Sequence, residues 1–152
     1  MNTNKNITKP LKKVLIIEKD DLLVNLIKSY VKRLGSLYID TFIEENDITN
    51  TVNMTKYDLI VADWKNKSFG GENLYLYIRR SNTNYDTPLL LVAGSLTPQE
   101  LVKIRGDKYT RFVLKPFSAD VFFDILKKAF KFILPKQQKK SDLIIAKSSK
   151  ND

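Results

Sequence analysis

The chain has 152 residues, of which 43% are hydrophobic and 28% are charged. This length and composition suit one globular domain that buries roughly two-thirds of its unfolded surface. Because the chain contains no cysteine and no histidine, disulfides, thiolate metal sites and Ser-His-Asp catalysis are excluded. No run approaches the roughly 18 apolar residues of a membrane span, and the polar residues 1–10 lack a signal-peptide core, so we expect a cytoplasmic protein.

The net charge of +9 is spread along the chain. Residues 135–152 carry five lysines and two aspartates, which leaves +6 for the remainder. Such a balance fits a nucleic acid, an anionic membrane surface or an acidic protein partner, and it equally fits lysine-rich faces that are simply solvated. No stripe of interleaved aromatic residues and arginines favours nucleic acid.

Strand-like and helix-like patterns alternate five times. The apolar or alternating segments that predict strands are 12–17, 37–43, 57–62, 89–92 and 109–114. Each predicted strand is followed by a helical pattern. The first two are 21–34, which Gly35 ends, and a weak polar pattern near 46–54. The other three are 71–80, a helix that starts at Thr97, and a final helix with an apolar side over 122–133. Five strand-then-helix units imply a parallel sheet with helices on both faces and right-handed crossovers.

Two helices carry clear local signals. Thr97-Pro98-Gln99-Glu100 predicts a capping box, with proline at the first helical position. In the helix 71–80, the spacing predicts that Leu74 and Ile78 face inward and that Arg79 and Arg80 face outward.

Polar residues interrupt the apolar runs where the predicted strands end. Glu18 follows the first run, Asp63 ends the third, Ala93 begins the break after the fourth, and Lys115 follows the fifth. Carboxyl ends of parallel strands meet at one edge of the sheet, where open α/β folds bind ligands. Two carboxylates and a lysine in one crevice suit phosphoryl or metal chemistry.

Three motifs give the chain a family resemblance. KVLIIEKDD at 13–21, YDLIVAD at 57–63 with Gly71 eight residues on, and VLKPF at 113–117 occur in order. Over residues 12–133 the chain resembles the receiver domain of bacterial response regulators, the phospho-acceptor half of two-component signalling. The resemblance implies a flavodoxin-like, doubly wound (βα)5 three-layer sandwich with parallel sheet order 2-1-3-4-5. It leaves a polar N-terminal arm, 1–11, and a basic tail, 134–152.

The resemblance also implies roles for matching positions. Asp63 would accept the phosphoryl group from a phosphohistidine, and Lys115, with a cis peptide bond after it, would contact that group. Mg²⁺ would be bound by Glu18, Asp63 and the backbone carbonyl of Lys65. Asp20 either joins these ligands or caps the first helix. A divalent cation and a lysine offset the repulsion between a carboxylate nucleophile and an anionic phosphoryl group.

Four positions depart from the family pattern. Lys19 stands at the second acidic position, Ala93 at the switch hydroxyl, Phe112 at the switch aromatic and Lys67 at a usual proline. Ser95 is a candidate replacement for the missing hydroxyl. Lys19 would either weaken Mg²⁺ binding or hold the pocket permanently half-switched.

These observations predict a single-domain receiver that works by phosphotransfer and protein contact and is not an enzyme. Its expected partners are a sensor histidine kinase or phosphotransfer protein and a downstream protein target, and we expect neither a DNA-binding output domain nor a membrane span. One alternative is a pseudo-receiver that acts as a phosphorylation-independent interaction module. Another is a basic accessory protein that binds nucleic acid or membrane through its tail and last helix.

Overall fold

The computed structural model describes residues 10–36, 38–65 and 72–132, with backbone only at Glu72. Most of the predicted N-terminal arm, the tail 134–152 and Lys67 lie outside these residues. The strands are β1 Lys13–Ile17, β2 Tyr38–Thr41, β3 Leu59–Asp63, β4 Leu89–Ala93 and β5 Thr110–Leu114. The helices are α1 Asp21–Arg33, α2 Glu45–Met54, α3 Glu72–Arg80, α4 Pro98–Arg105 and α5 Ala119–Asp124, followed by a π-helical turn, Ile125–Ala129.

The five strands form one parallel sheet in the order β2-β1-β3-β4-β5. This confirms the predicted flavodoxin-like fold class. Alternate residues of β1 enter different halves of the core, because successive side chains of a strand point to opposite faces. Val14 and Ile16 pack in a cluster with α1 and α5, whereas Leu15 and Ile17 pack in a cluster with α2, α3 and α4. The result is the predicted three-layer arrangement.

Local signals set the helix ends as expected. Gly35 has a φ of 91°, a left-handed value that costs glycine little, and it follows the last turn of α1. The capping box of α4 is present between Thr97 and Glu100. Ser118 caps α5 by accepting a hydrogen bond from the Val121 backbone N–H. Within the described residues, no helix combines the length and the apolar character that crossing a bilayer requires.

The last helix ends earlier than its apolar pattern predicts. A π-type hydrogen bond runs from the Phe130 N–H to the Ile125 carbonyl over 3.1 Å, and Lys131 has a φ of 60°. Phe130 and Phe132 are both buried in one cluster. Two residues two positions apart point in nearly opposite directions on an α-helix, so burying both rings requires the helix to unwind here. Ile133 lies outside the described residues.

The predicted outward orientation of Arg79 is wrong. Its side chain is only 12% exposed, and its Nε lies 2.5 Å from Oδ2 of Asp107. The guanidinium also donates to the Thr87 carbonyl and to the Thr110 hydroxyl. Arginine can fold its stem across apolar surface to reach buried acceptors, an option that helical spacing does not register. Arg80 is exposed, as predicted.

The buried pair also perturbs the carboxyl group. Burial alone would raise the pKa of Asp107. Hydrogen bonds from Thr110, Arg79 and the Tyr109 N–H, together with the guanidinium charge, outweigh burial and lower that pKa. Asp107 is therefore an anion that stabilises the fold at neutral pH.

Replacing Asp107 by alanine should lower the free energy of unfolding by about 3–5 kcal/mol at pH 7, because the buried Arg79 charge would lose its partner. Urea unfolding followed by circular dichroism measures this. Since the folded pKa of Asp107 is depressed, its contribution is complete above the unfolded value of about 3.9 and is lost as pH falls through the folded value. The difference between the two proteins should therefore shrink below about pH 4.

The matched control is Asp124→Ala, which removes a carboxylate from the exposed pair with Lys128, whose side chains are 63% and 73% exposed. That change should cost less than about 0.5 kcal/mol. Equal losses in the two variants would contradict a special role for the buried pair.

Candidate functional site

The parallel register brings four strand ends to one edge of the sheet. Ile17 of β1 lies beside Ala62 of β3, and Asp63 lies beside Val92 of β4. Ala93 of β4 pairs in turn with Leu114 of β5. The residues that follow or end these strands are consequently neighbours, although they are distant in sequence.

One ammonium group lies between two carboxylates at this edge. Nζ of Lys115 is 3.5 Å from Oε2 of Glu18 and 3.5 Å from Oδ1 of Asp63. The Lys115 backbone N–H donates to the Ala93 carbonyl over 2.8 Å, which ties the lysine to β4. The peptide bond between Lys115 and Pro116 is cis. Two anions facing one cation leave this group of side chains with a net negative charge.

The two carboxylates differ in exposure. The side chain of Glu18 is 3% exposed and that of Asp63 is 17% exposed, so Asp63 is the one that a molecule from solvent can reach. The Glu18 side chain is held in place by the backbone, since its Oε1 accepts hydrogen bonds from the Lys19 and Asp20 backbone N–H groups at 3.1 Å. Its position depends on the backbone turn after β1.

Oε2 of Glu18 is buried and accepts no hydrogen bond within the described residues. Its contact with Lys115 Nζ, at 3.5 Å, is longer than a typical charge-assisted hydrogen bond, so this buried oxygen still has capacity to bind an ion or a water. Together with Asp63 it supplies the carboxylate oxygens that Mg²⁺ prefers, and Mg²⁺ commonly takes one or two carboxylates and keeps several waters. Across the described ranges, no group of three or more His, Cys, Asp or Glu side chains could hold a metal ion. The donor set thus fits Mg²⁺ with a minimal number of protein ligands.

Asp20 is engaged as a helix cap. Its Oδ1 accepts hydrogen bonds from the backbone N–H groups of Leu22 and Leu23, at 2.9 and 3.4 Å. Lys19 is exposed, and among the described residues both carboxylates pair with Lys115 and neither pairs with Lys19. An exposed charge of this kind is largely screened by salt, so any effect of Lys19 on the site would be weaker than that of Lys115.

The switch positions have the surroundings of packing residues. Ala93 is 1% exposed, and Phe112 is half-buried against the same apolar cluster. Ser95 is exposed. Ala93 has no hydrogen-bonding group to offer a phosphoryl oxygen, and its burial leaves little room for a water in place of a hydroxyl.

A contact that sequence reasoning missed joins the end of β3 to α4. Trp64 directly follows Asp63, is 3% exposed, and donates its indole N–H to Oε2 of Glu100. The other oxygen of Glu100 accepts from the Thr97 backbone N–H over 3.0 Å, which completes the capping box. The sequence predicted the capping box, but nothing in it indicated that Glu100 would also accept a hydrogen bond from Trp64.

These hydrogen bonds favour the ionised glutamate. The backbone N–H of Thr97 is the main cause, and the indole N–H of Trp64 is the next, of a lowered pKa at Glu100. Trp64 is the only tryptophan in the chain, so its emission reports on this junction.

The comparisons with known proteins agree with this architecture. Residues 14–127 match the family model of the response regulator receiver domain. The chain belongs to this family. Receiver domains are signalling modules that interact with histidine kinases or phosphotransfer proteins.

A curated relative of this receiver domain is transcription factor SKN7 of Candida albicans, 26% identical over 137 residues. The match covers 90% of this chain but only 24% of that protein, so the chain spans about a quarter of the relative's length.

Two solved structures show the same fold. The chemotaxis protein CheY4 of Vibrio cholerae is 16% identical, with a TM-score of 0.68 over 78% of this chain and 98% of that one. The receiver domain of the sensor histidine kinase PA1611 of Pseudomonas aeruginosa is 15% identical, with a TM-score of 0.65 over 77% and 95% of the two chains. The PA1611 domain holds a magnesium ion coordinated in its active-site cleft.

The emission of Trp64 should change as pH falls through the depressed pKa of Glu100, below the usual value of about 4.3, because protonation weakens the bond from the indole. Fluorescence titration between neutral pH and about pH 2.5 measures this. In Glu100→Gln, which keeps an acceptor but cannot titrate, the transition should vanish. The control Asp63→Asn should keep it, whereas loss in Asp63→Asn and persistence in Glu100→Gln would assign the signal to the acceptor instead.

Proposed function

We propose that this receiver domain accepts a phosphoryl group on Asp63 and transmits the signal by protein contact. The carrying observation is the 3.5 Å contact between Lys115 Nζ and Oδ1 of the partly exposed Asp63 at the ligand-binding edge. A carboxylate that is reachable from solvent and paired with a fixed ammonium is arranged for attack on an anionic phosphoryl group.

In the proposed reaction, a carboxylate oxygen of Asp63 attacks the phosphorus of a phosphohistidine on a partner protein. The new O–P bond forms as the P–N bond breaks, and the imidazole nitrogen leaves with the electron pair and takes up a proton. Lys115 contacts a phosphoryl oxygen and offsets its charge as it approaches the carboxylate. The donor is a sensor histidine kinase or a phosphotransfer protein, and the recipient of the signal is a downstream protein target in the cytoplasm.

Mg²⁺ is the proposed cofactor, with Glu18, Asp63 and the Lys65 carbonyl as its protein ligands. When bound, it would neutralise charge on the phosphoryl oxygens. The buried Oε2 of Glu18, which makes no hydrogen bond within the described residues and only a 3.5 Å contact with Lys115, supports this assignment. Lys19 opposes it, because a cation stands where a further acid would raise metal affinity.

The alternative is a pseudo-receiver that keeps the fold and binds partners independently of phosphorylation. Two observations favour it: the cation Lys19 beside the acidic site and the buried methyl group of Ala93. A hydrogen bond to a charged group contributes about 1.5–3 kcal/mol, whereas full conversion of a two-state switch needs roughly 5.5 kcal/mol. Without a hydroxyl at Ala93, a phosphorylated Asp63 would shift the conformation less completely than in typical receivers.

Incubating the full chain with acetyl phosphate and Mg²⁺ should add about 80 Da, the mass of one phosphoryl group, in intact-mass measurement. The adduct should be absent in Asp63→Asn, which lacks the nucleophile, and should form more slowly in Lys115→Ala. Asp124→Asn, which alters an exposed carboxylate of α5, is the matched control and should behave as the wild type. An adduct that persists in Asp63→Asn, or no adduct in any protein, would refute the phospho-acceptor and favour the pseudo-receiver.

Replacing Lys19 by aspartate should tighten Mg²⁺ binding at least about tenfold, equivalent to about 1.4 kcal/mol or more, because it restores the second acid. Titration of Mg²⁺ against Trp64 fluorescence measures the affinity, and the wild type should not saturate at millimolar Mg²⁺. Lys127→Asp makes the same charge reversal at an exposed position in the π-helical turn that follows α5 and should change little. Saturating quenching of the wild type at millimolar Mg²⁺ would contradict a weakened site.

A further inference from the structure

The edge of the sheet opposite Asp63 carries exposed tyrosines, each with a lysine against its ring. Lys13 and Tyr38 begin adjacent strands and pair in register, and Nζ of Lys13 is 5.7 Å from the centre of the Tyr38 ring. Lys56 lies 5.8 Å from the Tyr85 ring. The third pair joins Lys108 and Tyr109 at 5.0 Å.

We call the tyrosines of these three pairs the tyrosine row, namely Tyr38, Tyr85 and Tyr109. We call their lysines the lysine row, namely Lys13, Lys56 and Lys108. All six residues begin a strand or lie in a segment that leads into one. Because the amino ends of parallel strands share an edge, the three pairs follow one another along β2-β1-β3-β4-β5. Sequence separation hides this row, which is why no aromatic and basic stripe is visible in the linear chain.

The tyrosine row is accessible. The three residues are 62%, 57% and 36% exposed, in chain order. A lysine contacts each ring at a distance typical of a cation–π pair, and the exposure leaves ring surface for a further contact.

Carboxylates near this edge already have partners. Asp58 accepts hydrogen bonds from the backbone N–H groups of Lys12 and Lys13, at 3.1 and 2.9 Å. Asp86 forms an ion pair with Lys56, and Asp107 forms one with the buried Arg79.

Cations at the same edge remain available to a ligand. Lys12, Lys13, Lys108 and Arg111 make no ion pair with a carboxylate among the described residues. Arg111 donates only to the Lys108 and Thr110 carbonyls. An anionic ligand would therefore meet positive charge along this edge with few competing carboxylates.

Flat rings interleaved with cations suit one class of ligand better than others. Bases stack on aromatic side chains without strict sequence preference, while lysines follow the phosphate backbone. A surface that binds a bilayer presents Trp, Phe or Leu that enter the acyl region, and the tyrosine row contains none of these. Four strand spacings of about 4.8 Å span roughly 19 Å, the reach of about three or four nucleotides of an extended strand.

We propose that this edge binds single-stranded nucleic acid, with the tyrosine row stacking on bases and with Lys13 and Lys108, the members of the lysine row without a carboxylate partner among the described residues, facing phosphates. The site lies at the opposite ends of the strands from Asp63, so the inference stands independently of phosphoryl transfer. A nucleic-acid strand could occupy this edge while a partner protein occupies the acidic one.

The test is fluorescence anisotropy of a labelled dT12 and a labelled rU12 oligonucleotide titrated with the full chain at low salt. Triple replacement of the tyrosine row by alanine should weaken binding at least about tenfold, because each stacked base loses its platform. This variant keeps the net charge and the whole basic tail, so purely electrostatic attraction is unchanged. Triple replacement by phenylalanine keeps the rings and should retain binding, and urea unfolding checks that each variant is folded.

Charge is tested separately. Changing the lysine row to glutamine should reduce the slope of log affinity against log salt by about 1.4, from two phosphate contacts on a single strand, because Lys56 already pairs with Asp86. The matched control is Lys127→Gln with Lys128→Gln and Lys131→Gln. It removes three exposed cations from the π-helical turn Ile125–Ala129 and the residues just after it. That control should leave the effect of the tyrosine row intact.

Several results would overturn the proposal. Equal binding by the wild type and the alanine variant would mean that the rings do not contact bases. Equal affinity for a duplex of the same length would indicate simple charge attraction. Stronger binding to phosphatidylserine vesicles or to poly-glutamate than to either oligonucleotide would assign the edge to a membrane or to an acidic protein.

Discussion

The site depends on one ionic arrangement, the Lys115 ammonium held between the carboxylates of Glu18 and Asp63. Two carboxylates close together repel each other strongly when partly buried, and a single lysine offsets only part of that repulsion. Parallel pairing of β1, β3, β4 and β5 imposes the arrangement, because it places the carboxyl ends of these strands side by side at one edge of the sheet. The arrangement leaves one more anion than cation at this edge of the sheet.

Two positions near the site, Lys19 and Ala93, depart from the family pattern. Neither residue takes part in the ionic contacts around Lys115. Trp64 connects the end of β3 to the capping box of α4 through Glu100. A change of charge on Asp63 lies one residue from this connection.

Sequence patterns were sufficient wherever local chemistry decides the structure. The apolar runs located the strands, the Thr97 and Gly35 signals located helix ends, and the order of polar residues at strand ends anticipated which side chains meet. They failed where tertiary contacts override spacing. Arg79 turned inward because Asp107, 28 residues away, offers a buried partner. The final helix unwound because Phe130 and Phe132 share one cluster, and only the packed core contains that information.

The tyrosine row escaped prediction for the same reason, but the distribution of charge behind it follows from the fold. In a right-handed βα unit each helix begins at the edge where its strand ends, so helix amino ends gather near Asp63 and carboxyl ends gather at the opposite edge. The helix macrodipole favours acids at the first edge and bases at the second, by about 0.3–1 kcal/mol for each exposed charge.

The chain follows this polarity. Acids occupy the first turns of four helices, at Asp21, Glu45 and Asp47, Glu100, and Asp120. Bases occupy the last turns of three helices, at Lys32 and Arg33, Arg79 and Arg80, and Lys103 and Arg105. A chain with a large excess of lysine can therefore keep acidic residues at the edge near Asp63, because the same backbone dipoles that favour anions at that edge favour cations at the other. An anionic partner and a phosphodonor would approach this receiver domain from opposite ends of its strands.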